Sequence, residues 1–268
     1  MIEVTTEKLF TNINLKTENH VAYIALNNPP VNAISGATVK GLDECLNYVA
    51  EEQEIKVVVL TGEGKFFAAG ADIKEFAQAF DSKDKGRDLS VKAQAVFNKI
   101  ENLKKPVIAS INGACLGGGL ELVMSCHMRI AADEAKLGQP ELNLGLIPGF
   151  GGTQRLPRIL NKSQALELIL IGEPISGKEA EAKGLVNKSV PLSDLMSEVK
   201  LFAEKIALNK SQPSISATIE AINRGIETTL EKGLSLEADL WSDLFVTKDI
   251  KEGVNAFMEK RKPEFKNE

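Results

Sequence analysis

Between residue 20 and about residue 190 the chain alternates short, apolar, β-branched runs with segments whose apolar residues recur at helical spacing. A chain patterned this way folds as an α/β core. Residues 20–26 read as a strand closed by Asn27-Asn28-Pro29-Pro30, because prolines cannot continue a ladder. Residues 35–51 place Val39, Leu42, Leu46, Val49 and Ala50 on one helical face, with Ser35 positioned as the cap. Residues 55–62 and 106–113 are apolar almost throughout, which suits strands covered on both faces. The polar stretch from about Ala77 to Gly86 reads as an exposed loop or helix tip, and residues 89–103 as a helix ended by Lys104-Lys105-Pro106. Met128 to Ala132 and Ala135 to Gly138 predict further strands. Beyond Pro191 strand signals vanish, and residues 192–206 and 215–230 predict helices. The expected division is a core over 1–195 and a helical region over 196–268.

Composition narrows the function classes. The 268 residues are 43% hydrophobic and 26% charged, a globular balance that removes disordered, collagen-like and coiled-coil readings. With 32 Lys+Arg against 37 Asp+Glu and 5% aromatics, the chain lacks the basic field and stacking platforms of a general nucleic-acid binder. No run approaches the roughly 18 to 20 apolar residues of a membrane helix. The opening Met1-Ile2-Glu3-Val4-Thr5-Thr6-Glu7 carries acid before base and no apolar run, so no leader is expected and the cytoplasm is the expected compartment. Cys45, Cys115 and Cys126 are scattered and read as reduced packing residues. His20 and His127 have no neighbours at metal-ligand spacing, so no metal is expected.

Glycine-rich places carry what chemistry can be read locally. Gly62-Glu63-Gly64-Lys65 runs into Phe66, without the Ser or Thr of a phosphate-cradling loop, and Gly117-Gly118-Gly119 is not the dinucleotide pattern GxGxxG. A glycine turn opening a helix does expose N–H groups without intrahelical acceptors at the positive dipole end, a place for an anion or a developing oxyanion. Ala71, in Ala69-Gly70-Ala71-Asp72, stands at a similar strand exit among small side chains. Its amide and that of Gly118 would make an oxyanion hole if they converged; tight turns and close packing explain such glycines equally well. Glu121 and Glu141 suit general acid and base work if their surroundings separate their acidities. Dipole stabilisation in a first helical turn, and Pro-Glu as a helix opening, account for the same residues. His127 reads as a partly buried strand residue. Ser197-Glu198-Val199-Lys200 matches SxxK without partner motifs, and GxSxG is absent. Lys260-Arg261-Lys262-Pro263 reads as a solvated tail, or as a place to meet phosphates.

In order and spacing these residues resemble the enoyl-CoA hydratase/isomerase (crotonase) superfamily, nearest its short-chain hydratases. The likeness rests on Phe67-Ala68-Ala69-Gly70-Ala71-Asp72-Ile73-Lys74-Glu75, Lys105-Pro106-Val107-Ile108-Ala109 and Asn112-Gly113-Ala114-Cys115-Leu116-Gly117-Gly118-Gly119-Leu120-Glu121-Leu122. It continues in Gly138-Gln139-Pro140-Glu141, Gly145-Leu146-Ile147-Pro148-Gly149-Phe150-Gly151-Gly152-Thr153-Gln154-Arg155-Leu156, Gly184-Leu185-Val186 and the stretch from Glu252 to Pro263. Asn28-Pro29-Pro30-Val31-Asn32-Ala33 adds a less diagnostic match.

The resemblance implies the α/β crotonase (ClpP/crotonase) spiral of ββα units with a C-terminal helical trimerisation region, assembled as a homotrimer or a dimer of trimers. It implies an acyl-CoA thioester substrate, no cofactor beyond the coenzyme A of that substrate, and no nucleic-acid or membrane partner. Position by position, the amides of Ala71 and Gly118 become the oxyanion hole, Ala71, Asp72, Ile73 and Lys74 lie along the coenzyme A arm, and Glu121 and Glu141 hold the catalytic water. The implied reaction is syn hydration of a trans-2-enoyl-CoA to a (3S)-3-hydroxyacyl-CoA in fatty-acid β-oxidation. The alternatives are a Δ3,Δ2-enoyl-CoA isomerase, which shuttles a proton with a single carboxylate, and a non-catalytic RNA-binding or scaffolding relative, for which no Lys-rich helix is present. Phe150 stands where many members carry a smaller residue, and the region from Gln78 to Arg87 varies in the family, so both bear on chain length.

Overall fold

The computed structural model describes residues 6–268; residues 1–5, where the reading of a missing leader began, lie outside the described residues. Three strands open the fold as an antiparallel meander: β1 (Thr6–Phe10), β2 (Ile13–Glu18) and β3 (Val21–Leu26). Only the third was legible in the sequence. β1 is a short stretch of polar and charged residues with Leu9 left 80% exposed, so it presents no alternating apolar signal. From β3 onward the pairing becomes parallel, through β4 (Val57–Gly62). Between them α1 (Gly36–Glu51) buries Leu42, Cys45, Leu46 and Val49, and the Ser35 hydroxyl accepts the Thr38 N–H as the cap its sequence predicted.

A repeating unit then builds two sheets at once. β4 turns sharply into β5 (Phe66–Ala68), followed by α2 (Ile73–Ala77) and α3 (Lys83–Glu101). β6 (Val107–Ile111) turns into β7 (Ala114–Leu116), followed by α4 (Gly118–Met124). β8 (Met128–Ala132) turns into β9 (Lys136–Gly138), followed by a 3-10 turn (Glu141–Leu144), α5 (Gly152–Ile159) and α6 (Lys162–Ile171). β10 (Ile175–Ser176), α7 (Gly177–Lys183), β11 (Lys188–Val190) and α8 (Leu192–Ala207) close the series.

The first strand of each unit joins a seven-stranded sheet ordered β1-β2-β3-β4-β6-β8-β11, and the second joins a four-stranded sheet ordered β10-β9-β7-β5. The chain thus winds as a spiral of strand-strand-helix turns. Its corners are fixed by side-chain amides: the buried Asn32 Nδ2 donates to the Glu63 and Phe66 carbonyls at 3.0 and 2.9 Å, and the half-buried Asn112 accepts the Gly62 N–H and returns a bond to its carbonyl. β4 and β6 are buried on both faces, as their unbroken apolar runs predicted.

Several boundaries moved. α3 begins at Lys83, with Ser82 as its cap, so the polar stretch before Arg87 is partly the first turn of that helix. The helix expected over 215–230 is two: α9 (Gln212–Gly225) and α10 (Leu230–Asp243), with α11 (Lys248–Met258) after them. Gly225 and the new cap Thr229 account for the break. His127 precedes β8 rather than lying in a strand; its Nδ1 accepts the Val107 N–H at 2.9 Å and its Nε2 faces the Glu101 carbonyl at 3.1 Å. Arg261, read as part of a solvated tail, is held by Glu252 and Glu259. Cys45, Cys115 and Cys126 are free and buried. Among the described residues no helix is long and apolar enough to cross a membrane.

Candidate active site

The parallel strands β5, β7 and β9 end side by side, since Ala68 pairs with Cys115 and Leu116 with Gly138. Their exits are residues 69–71, 117–121 and 139–141, so all four residues expected to do chemistry arrive at one edge of the small sheet. Crevices beyond the carboxyl ends of parallel strands are where α/β sheets bind ligands.

Ala71 is set by a single parallel bridge to Ile34. The Ile34 N–H donates to the Gly70 carbonyl at 2.8 Å, and the Ile34 carbonyl accepts the Asp72 N–H at 3.3 Å. Both bonds use the neighbours of Ala71, so its own N–H points to the opposite side. There it meets Gly118, the first residue of α4, whose N–H has no acceptor within the helix. A Cβ added at Gly118 would stand 3.5 Å from the Ala71 nitrogen. The two amides are neighbours at the mouth of one cavity.

The turn between them requires glycine. Gly117 has φ 49 and ψ −122, a conformation closed to side chains, and a Cβ there would lie 2.9 Å from Glu141 Oε1. That close approach is what brings the Glu141 carboxylate up to the oxyanion turn.

Glu121 sits one turn into α4 and is 1% exposed. Its Oε1 accepts the Phe150 and Gly152 N–H groups, each at 2.7 Å, from the strap that leads into α5. Burial pushes its carboxyl up to about 7, helped by the charge of Glu141 and opposed by the two strap amides and the Arg155 guanidinium. Glu141 opens the 3-10 turn and is partly exposed. Burial raises it to about 7 as well, against its own backbone N–H.

The cavity these groups share encloses about 310 Å³. Ala71, Gly118, Glu121 and Glu141 line it together, with Phe76, Leu89, Leu144 and Phe150 supplying apolar wall. Of the residues expected along the substrate arm, Ala71 and Ile73 reach this cavity. Asp72 instead uses its carboxylate to cap α2, accepting the Lys74 N–H at 2.9 Å, and Lys74 is exposed outside the lining.

The sequence profile of the enoyl-CoA hydratase/isomerase family matches residues 16–268. The chain belongs to that family. It is 46% identical to a probable enoyl-CoA hydratase of Bacillus subtilis (strain 168), over 96% of this chain and 99% of that one. It is 42% identical to the short-chain-enoyl-CoA hydratase of Clostridium acetobutylicum, over 96% and 98%. Superposed on the crystal structure of an enoyl-CoA hydratase from Bacillus anthracis, it gives a TM-score of 0.91 at 42% identity, covering 96% of this chain and 100% of that one. The α/β spiral is therefore the crotonase fold, as the sequence motifs implied.

Within this family member, three supports of the carboxylates were not singled out from sequence. The strap amides of Phe150 and Gly152 are one, because a main-chain donor leaves no trace in residue type. Gln139 is another: it is fully buried, and with its nitrogen towards Glu141 it donates to both carboxylate oxygens, at 2.9 and 3.0 Å. The third is the pair Ser90 and Gln94 on α3, which hold the Gly149 carbonyl at 2.5 and 2.9 Å and so anchor the strap from outside. The motif Gly138-Gln139-Pro140-Glu141 was the signal available for Gln139.

Proposed function

We propose that this protein is an enoyl-CoA hydratase acting on short trans-2-enoyl-CoA thioesters in fatty-acid β-oxidation. One observation carries the reading: two main-chain donors and two carboxyls that burial makes weaker acids line the same small apolar cavity. The naming of the full-length relatives from Bacillus subtilis and Clostridium acetobutylicum as enoyl-CoA hydratases supports it.

The β-carbon of an unsaturated thioester is a weak electrophile towards water. The amides of Ala71 and Gly118 receive the thioester oxygen and stabilise the charge that grows on it as the enolate forms; losing one such donor typically costs about 10²–10³ in rate. Glu121, ionised, takes a proton from water as the oxygen bonds to C3. Glu141, protonated, delivers a proton to C2 as the enolate collapses. The net change is one water added across one double bond, and the proton on Glu121 passes back to Glu141 to reset the pair. With both carboxyls on one side of the bound substrate, addition is syn; that the product is the (3S)-3-hydroxyacyl-CoA is what the family resemblance implies. The coenzyme A arm, lying along the Ala71 to Lys74 segment, orients the reacting atoms.

The family resemblance implies a trimer or a dimer of trimers, and apolar surface left exposed on the C-terminal helices supports self-association. α9 and α10 bury no residue of their own, and Ile226, Leu230, Trp241 and Val246 are 73%, 78%, 62% and 86% exposed. Solution mass of the purified protein checks this.

Loss of the conjugated thioester absorbance when crotonoyl-CoA is supplied tests the activity. A protein that leaves crotonoyl-CoA untouched yet converts a 3-enoyl-CoA into the 2-enoyl isomer is an isomerase, and the hydratase reading is then wrong.

A further inference from the structure

We propose that Ser90 and Gln94 are positioning residues for Glu121, acting on it through the one peptide unit that joins Gly149 to Phe150. The inference rests on the hydratase reading above and gives two residues of α3 a part in keeping its general base ionised.

A trans peptide is planar, with its carbonyl and its N–H pointing in opposite directions, so whatever fixes one end fixes the other. The Gly149–Phe150 unit is trans and is gripped at both ends. On one side the Ser90 hydroxyl and Gln94 Nε2 donate to the Gly149 carbonyl at 2.5 and 2.9 Å. On the other the Phe150 N–H donates to Glu121 Oε1 at 2.7 Å. Gln94 Nε2 also donates to Ser90 Oγ at 2.9 Å, so a directed chain runs from α3 to the carboxylate. Donors on a carbonyl polarise the peptide and strengthen its N–H as a donor.

The second donor to Glu121 is built the same way from different parts. The Gly152 N–H belongs to the Gly151–Gly152 unit, whose carbonyl accepts the Gln154 and Arg155 N–H groups at 3.0 and 2.8 Å as α5 opens. Backbone holds that unit whatever the side chains are. The Gly149–Phe150 unit lies ahead of the helix, and two side chains take the place of backbone there. A Cβ at Gly149 would meet nothing nearer than 4.0 Å, so packing leaves the unit room to tilt once those donors are gone.

α3 is a firm base for the pair. Ser90 and Gln94 stand one turn apart on one face, beside the buried Ala93 and Phe97, and the Phe97 ring packs against that of Phe150 with centroids 6.1 Å apart and planes at 85°. The charged groups that face Glu121 are Glu141, from the 3-10 turn, and Arg155, from α5; Glu101 of α3 is itself paired with Arg155 at 2.8 Å. Neither Ser90 nor Gln94 is charged, so replacing them by apolar residues alters Glu121 through the strap and not through the field around it.

Gln94→Met keeps the volume and removes the donor, and Gln94 stands outside the cavity lining; Ser90 borders the cavity, so Ser90→Ala is compared with Ser90→Thr, which keeps the hydroxyl. With crotonoyl-CoA, the acidic limb of kcat/KM in Gln94→Met and Ser90→Ala should move up by about half to one pH unit, a loss of about three- to tenfold at pH 6 that fades towards pH 8. Ser90→Thr should return the limb towards its parental place. Infrared titration of the Glu121 carboxyl reads the same effect without turnover. It is done in a Glu141→Gln background, where Glu121 is the site's one remaining carboxyl, and its band is identified by its absence once Glu121→Gln is added. The midpoint should rise by a similar amount. An unmoved midpoint, an unmoved limb or a loss of rate equal at every pH, in variants whose circular dichroism and thermal unfolding show them folded, overturns the proposal. A raised midpoint in a protein that hydrates no enoyl-CoA keeps the positioning role and removes the hydratase reading.

Discussion

Glu121 Oε1 accepts the main-chain N–H of Gly152 at 2.7 Å, across a glycine with no room for a side chain: a Cβ there would lie 2.7 Å from the Pro148 Cβ and 3.0 Å from that same oxygen. The bond lets a carboxylate occupy the foot of an apolar cavity, where an unpartnered charge would be driven out. It does not cancel the cost of burial, since the Glu121 carboxyl is still raised to about 7. The site therefore holds stored instability that can be measured.

An acid raised from 4.5 in the unfolded chain to about 7 in the fold binds its proton more tightly when folded. Its contribution is intact below pH 4.5, is eroded as pH climbs through 7, and is constant above that. Glu121→Gln keeps the shape and removes the charge. Denaturant unfolding should show this variant more stable than the parent at pH 8, by up to about 3 kcal/mol, and equal to it near pH 4.5. A variant less stable than the parent at pH 8 would mean that the strap amides outweigh the desolvation.

Because Glu121 must be ionised and Glu141 protonated, and both titrate near 7, kcat/KM should follow a bell centred close to neutrality. Each limb should fall about tenfold per pH unit, and the two midpoints belong to the pair. A profile flat from pH 6 to pH 9 contradicts the division of labour.

Arg155 offers a way to move one limb. Its Nε and Nη2 hold Glu101 Oε2 at 3.2 and 2.8 Å, its Nη1 faces the Phe150 carbonyl at 3.4 Å, and its charge lowers Glu121. Arg155→Met removes that charge, so Glu121 should hold its proton to higher pH. The acidic limb should shift upward, with activity lost at pH 7 partly regained at pH 8. An unshifted limb leaves Arg155 a packing residue.

Gly117→Ala should cost both stability and turnover. The backbone there, at φ 49 and ψ −122, costs a side chain about 1–3 kcal/mol, and the new Cβ would press on Glu141 Oε1. Thermal unfolding should come several degrees lower, and kcat should drop more than KM rises. Retention of parental kcat would show that Glu141 is not held where its proton is delivered.

The candidate residues could be singled out because they sit at strand exits, while their roles came from the family resemblance rather than from local pattern. Gly117, Gly118 and the small residues around Ala71 are demanded by backbone conformation and close approach, which act directly on residue type. What supports the carboxylates was harder to read: the strap donors are main-chain groups, and Gln139, like any glutamine, is uninformative until its neighbours are placed. The fold shows the same division. β4 and β6 announced themselves by unbroken apolar runs, whereas β7, with three residues, is too short for a period, and β1 is polar enough to read as loop. The broad apolar exposure of α9 and α10 was visible only once none of the described residues was found to cover it.

The rate of crotonoyl-CoA hydration by Glu121→Gln, Glu141→Gln and the double variant tests the central claim most directly. Groups that act as one unit are not additive, so each single change should lower kcat by at least about 10³-fold and the double change by little more, with acyl-CoA affinity held within a few-fold. Near-parental turnover in either single variant contradicts a mechanism built on the two carboxyls together.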